Sequence, residues 1–307
     1  MTESGMRDVL RRGLGIGALA SLASVPAVAL GQTQSQELIY GGVLGDIREA
    51  ETTNPGKTHV AGGLGAASAD YFRGGFDDVP SDLDEIAIGP DLSVVFELWE
   101  DQPGPVRDLS LTLGTQNNFA DQVQPTDSDI DKWYESNNFA ALTARLGRDW
   151  LGQVAYTMYG SPNDVSPTGY ELSLAGAYRG QNLLGGLKPQ LKLAKPTDRG
   201  GVYTELVATP GLTLLEDGAY PITLGVPLTL GVGFDDYYSN AGTTGFVSAG
   251  LSGSVPLAFI PSDYGSWKLT AGVDLILRED DLDDAGGPFD DAGNVVPIGK
   301  MAISFVY

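Results

Sequence analysis

The chain has 307 residues, a formal net charge of −22, 19% charged residues, 42 glycines, one histidine and no cysteine. Its 42% hydrophobic content is too high for a disordered acidic polymer, and the lack of cysteine excludes disulfides, thiolate metal sites and cysteine nucleophiles. His59 alone cannot form a histidine metal cluster, and the acidity disfavours nucleic acid as a partner, because phosphate-binding surfaces need clustered Lys and Arg.

Arg7, Arg11 and Arg12 precede an Ala-, Leu-, Gly- and Val-rich stretch over 14–30, with small residues at Ala27-Val28-Ala29 or Ala29-Leu30-Gly31 and then a polar run from Gln32. A basic segment, an apolar segment and a small-residue site predict a secretory signal peptide over 1–31. Arg11-Arg12-Gly13-Leu14 also resembles a twin-arginine signal, so both export routes stay open. Residues 32–56 carry little strand pattern and are expected to form a flexible periplasmic N-terminal segment. Beyond residue 32 no run of about 18 apolar residues follows. If the chain spans a bilayer, it must do so as a closed barrel, which satisfies every backbone polar group in lipid.

From residue 57 to 307 period-2 alternation separated by turn residues predicts strands near 57–72, 87–99, 105–116, 134–146, 149–159, 168–179, 188–196, 201–210, 222–233 and 243–256. Two more follow. One sets Trp267, Leu269, Ala271, Val273, Leu275 and Leu277 against Lys268, Thr270, Gly272 and Asp274. The last sets Met301, Ile303, Phe305 and Tyr307 against Lys300, Ala302 and Ser304. The expected fold is all-β, an antiparallel transmembrane β-barrel of about 12 strands, whose length of about 9–14 residues each suits tilted spanning strands. The same alternation would also serve a soluble sandwich or soluble barrel.

The odd-numbered connections at 73–86, 117–133, 160–167, 234–242 and 278–294 are mostly longer and polar, whereas the even-numbered ones, such as 100–104 and 147–148, are mostly short, with 211–221 and 257–264 as exceptions. That asymmetry assigns the longer set to the outside. Acid concentrates there: Asp77, Asp78, Asp82, Asp84 and Glu85 in the first, and Glu279, Asp280, Asp281, Asp283, Asp284, Asp290 and Asp291 in the last. Tyr71, Phe72, Trp99, Trp150, Tyr159, Tyr203, Tyr237, Tyr238, Tyr264 and Trp267 fall near strand ends and are expected to form interfacial girdles. Glu171, Lys192, Glu205, Lys268, Asp274 and Lys300 fall on the less apolar faces, where they are candidate lumen charges. They either set ion selectivity or pair and plug the lumen.

Ala69-Asp70-Tyr71-Phe72-Arg73-Gly74 resembles the SDYxxRG signature of TorF-type porins, with Ala69 in place of the serine. Thr209-Pro210, Pro227-Leu228-Thr229-Leu230-Gly231 with Asp235-Asp236-Tyr237-Tyr238, and Val255-Pro256-Leu257 through Tyr264-Gly265-Ser266-Trp267 are similar to related outer-membrane proteins. The resemblance implies a barrel with pore activity and supplies no substrate and no catalytic residue. The alternation of Met301, Ile303, Phe305 and Tyr307 likewise resembles the terminal signal read by barrel-insertion machinery.

No other chemistry is expected. His59 has no Ser–His context and reads as a strand surface residue, and the acidic segment 279–291 lacks EF-hand spacing. The chain is therefore expected to be no enzyme and to bind no cofactor or metal. Its expected partners are outer-membrane lipid, the insertion machinery and small solutes or cations. The functional expectation is an outer-membrane channel favouring cations. A closed barrel with a structural or surface-interaction role, or a soluble periplasmic β protein, are the alternatives.

Overall fold

The computed structural model describes residues 54–307 apart from 70, 74–85, 101–102, 121–131, 165–166, 181–186, 216–217, 219, 236, 239–241, 281 and 283–292. The signal peptide, most of the expected N-terminal segment and nearly all the loop acids therefore lie outside the described residues.

The strands are β1 (Thr58–Ala67), β2 (Ala87–Trp99), β3 (Val106–Phe119), β4 (Trp133–Leu146), β5 (Trp150–Gly160), β6 (Gly169–Tyr178) and β7 (Gln190–Pro196). They continue as β8 (Val202–Ala208), β9 (Gly211–Leu214), β10 (Ile222–Gly225), β11 (Leu228–Phe234), β12 (Thr244–Pro256), β13 (Ser266–Arg278) and β14 (Val295–Val306). A short 3-10 helix, Ser262–Tyr264, precedes β13. No helix among the described residues is long and apolar enough to cross a membrane.

Every neighbouring pair is antiparallel, and β14 pairs with β1, so the sheet closes on itself. Its fourteen segments make a ring of twelve staves, because β9 continues β8 and β10 leads into β11. Both breaks fall at prolines, Pro210 and Pro227, which lack the N–H a ladder requires. The ladder steps across them by Val226 N donating to Pro210 O at 2.8 Å and Gly250 N donating to Pro227 O at 2.9 Å. Residues 222–233, expected as one strand, are thus one stave with an interruption. The β4–β5 turn is tight because Gly147 adopts φ 62°, in the left-handed region open to glycine.

Two faces follow from the closure, and they invert the pattern of a soluble protein. Buried positions hold Ser110, Thr112, Asn137, Thr143, Gln153, Thr157, Glu171, Ser173, Lys192, Glu205 and Ser252. Leu113, Leu142, Val154, Leu172, Leu174, Leu191, Leu230, Leu251, Val273 and Met301 face outward. Leu174 is 55% exposed while Glu171, three residues away on the same strand, is 2%. Glycines let large rings lie across the inner wall. Phe139 covers its cross-strand partner Gly114, and Phe246 covers its partner Gly231, in each case occupying the space a Cβ would need.

Three details depart from the sequence reading. β1 ends at Ala67 rather than 72, because Tyr71-Phe72-Arg73 leave the wall to pack with interior side chains. Tyr71, Tyr159, Tyr203, Tyr237 and Tyr238 are interior residues, not girdle residues; Trp99, Trp150 and Tyr264 are exposed near strand ends. His59 is fully buried, 3.5 Å from Glu97, rather than a surface residue.

Candidate functional site

The interior near the 68–86 connection is built around Arg73. Its Nη2 donates to Glu171 Oε1 at 2.8 Å and its Nη1 donates to Glu171 Oε2, a two-pronged pair in which both side chains are buried. Nη1 also donates to the Tyr237 hydroxyl, and Nη2 reaches the Tyr159 hydroxyl at 3.4 Å. The guanidinium carbon lies 4.6 Å from the Phe72 ring centroid and 4.7 Å from that of Tyr203, within cation–π range. Tyr238 donates its hydroxyl proton to the Arg73 carbonyl.

The clamp thus joins the connection after β1 to β5, β6, β8 and the β11–β12 connection. Tyr203 and Tyr237 stack at 5.3 Å, and Tyr71 meets Phe246 edge-on at 5.6 Å. These rings join Ile276, Val296, Ile298 and Leu282 in one apolar cluster inside the barrel. Burial raises the Tyr237 phenol above its ordinary value, while Arg73 pulls the other way. Tyr237 therefore stays protonated at neutral pH and accepts from Arg73 through its neutral oxygen.

Against the clamp lies a cavity of about 250 Å³ bordered by β1–β3, β8 and β11–β14. Gln116, Asn118, Glu205, Thr229, Ser248, Asp274 and Lys300 give it a polar lining, and Phe246, Ile276 and Ile298 an apolar one. Of the six candidate charges, Glu171, Lys192 and Glu205 are buried, and Lys268, Asp274 and Lys300 are half-buried. They are largely matched. Glu171 takes Arg73, Lys192 stands opposite Glu205 across β7–β8, and Lys300 pairs with Asp274. Glu205 also accepts from Tyr203. Nearer the end where the chain terminus lies, Arg145 pairs with Asp108. Among the described residues no group of three or more His, Cys, Asp or Glu is placed to hold a metal ion.

Glu171 is among the charges expected from the sequence, but Arg73, its buried partner, is not. The signal was present in two separate motifs. Tyr71 and Arg73 of one meet Tyr237 and Tyr238 of another, although Arg73 and Tyr237 lie 164 residues apart. A third motif serves closure: Trp267 donates to the Tyr264 carbonyl at 2.8 Å and stacks on Phe305 of β14 at 4.8 Å.

No family model matches the chain, and no curated protein matches it in sequence. Among solved structures, the β domain of the Bordetella autotransporter BrkA is similar at a TM-score of 0.43 and 10% identity, covering 81% of this chain and 99% of that one. OprB of Pseudomonas putida is similar at a TM-score of 0.37 and 10% identity, covering 90% of this chain and 100% of its own. OccD3 of Pseudomonas aeruginosa is similar at 0.35 and 12%, covering 93% and 95%. These neighbours are outer-membrane barrels, and the closed antiparallel barrel of this chain stands on its own strand pairing.

Proposed function

We propose that the chain is an outer-membrane β-barrel, exported by its N-terminal signal, that conducts small solutes or ions through a lumen narrowed by the Arg73 clamp. The inverted burial carries the membrane part of this reading. A soluble protein does not bury Glu171, Lys192 and Glu205 while exposing Leu64, Leu92, Leu113, Leu142, Leu172, Leu191, Leu230 and Leu251 around its whole girth. A lipid-facing barrel requires that arrangement. The channel part rests on the polar inner wall and the cavity beside the clamp. A TorF-type porin is the finer assignment, supported by the roles of Tyr71, Arg73, Tyr237 and Tyr238 in one cluster.

Cation preference rests on the acidic connections, since the inward charges of the wall are largely paired with opposite charges. Met301, Ile303, Phe305 and Tyr307 form the outward face of the closing strand, which suits them to the insertion machinery. The matched charges favour one second reading, a closed barrel with a structural or surface role. Bilayer recordings on refolded protein separate the two. The channel reading expects rare openings in the wild type and larger or more frequent ones in Arg73→Ala, with cations preferred. Silence from both proteins leaves the closed barrel.

A further inference from the structure

Among the described strand residues, the outward face holds one polar island that contains carboxamides. Thr115 and Asn117 on β3 face Ser136 and Asn138 on β4, with Thr115 opposite Asn138 and Asn117 opposite Ser136. Strand alternation sets all four away from the interior, since Gln116, Asn118 and Asn137 between them take the inward positions. Among the described strand residues no other asparagine faces outward. Apolar side chains frame the island: Leu92 opposite Thr115, Met158 opposite Asn138, and Leu113 and Leu142 along the strands, each of these two 44% exposed. At its loop-side end Phe119 stacks on Trp133 at 5.9 Å. Aromatic pairs of this kind mark the bilayer interface, so the island sits on the hydrocarbon side of that mark.

Carboxamides facing hydrocarbon seek partners. Asn117 donates to Thr115 Oγ1 at 3.3 Å and Asn138 donates to Ser136 Oγ at 3.4 Å. A carboxamide offers two donors and two acceptor lone pairs, so these bonds leave further capacity on each. A partner must therefore present donors and acceptors together at the same depth. The geometry points to a second copy of this chain, docked island to island about a two-fold axis, because amide and hydroxyl groups complement themselves and a two-fold contact presents the same patch from both sides. This inference rests on the outer-membrane reading.

The chain has no cysteine, so introduced thiols report single positions. Full-length Asn138→Cys, refolded and reconstituted in lipid, is expected to form a disulfide-linked dimer on mild oxidation. Val273→Cys, on the outward face of β13, is expected to stay monomeric. Light scattering in detergent is expected to give a dimer for the wild type and a monomer for Asn117→Leu/Asn138→Leu, which keeps its heat-modifiable migration. Equal cross-linking at both positions, or a wild-type monomer in lipid, overturns the dimer. So does lipopolysaccharide retained by a monomeric wild type and lost from the leucine variant, which assigns the island to lipid. Protein that is soluble without detergent sinks the outer-membrane reading itself; a detergent-requiring, heat-modifiable monomer sinks only the dimer.

Discussion

Arg73 has a backbone φ of 50°, in the left-handed region that costs a non-glycine residue of order 1–3 kcal/mol. Its interior contacts hold it there, and each is directional. Truncation to Ala leaves Glu171 buried beside Lys192 without its two-pronged partner, so Arg73→Ala is expected to destabilise the fold by about 3–5 kcal/mol. A urea titration in detergent reads this, and Arg73→Ala/Glu171→Gln is expected to regain part of the loss. Gly231 tests packing in the same cluster. A Cβ there would lie 2.6 Å from the Tyr203 hydroxyl and inside the Phe246 ring, so Gly231→Val is expected to cost about 1–3 kcal/mol, measurable by the same titration. Strand parity assigns a face to each strand residue and so offers inward candidates such as Glu171. It gives no reading for Arg73, because parity stops where the strand does. The tyrosines misled for a related reason: position near a strand end says nothing about which side of the wall a ring takes.

Among the elements, β14 has the most consequence for closure. Val60 N donates to Tyr307 O at 2.7 Å and Tyr307 N donates to Val60 O at 2.8 Å, so Tyr307 extends the seam between β1 and β14 beyond the strand. Removing Phe305–Tyr307 takes away this exchange and the Trp267–Phe305 stack. The shortened chain is expected to lose the compact, heat-modifiable form on gels, whereas Tyr307→Phe, which keeps the backbone exchange, is expected to retain it. Strand positions were readable from period-2 alternation, since outward-facing Leu and Val alternate with Gly, Ser and Thr along β12 and β13. The breaks at Pro210 and Pro227 were missed because alternation runs through them: Ile222, Leu224 and Leu228, Leu230 keep one parity on either side.

For the whole molecule, the distribution of polarity is what supports the proposed membrane environment. The inner wall is polar or small and the outer belt aliphatic, so the refolded protein is expected to need detergent throughout and to migrate faster unboiled than boiled. Equal migration, or full solubility without detergent, would count against the membrane reading. Alternation alone could not decide this, because a sandwich core and a lipid belt both ask for an apolar face every second residue. The seam between β1 and β14 excludes a sandwich, which leaves edges where this sheet has none; between a soluble and a membrane barrel, the aliphatic outer belt is what supports the membrane reading.

The Arg73 clamp has a further consequence for time rather than for shape. Its bonds join residues 98 and 164 positions apart and bind the connection after β1 to walls formed much later in the chain. None of them can form until the staves carrying Tyr159, Glu171, Tyr203 and Tyr237 are in register. Contacts of such long sequence separation slow folding, so the crossbar engages last. Insertion kinetics should accordingly resolve a late step that Arg73→Ala abolishes, while the earlier appearance of β structure proceeds at its normal rate.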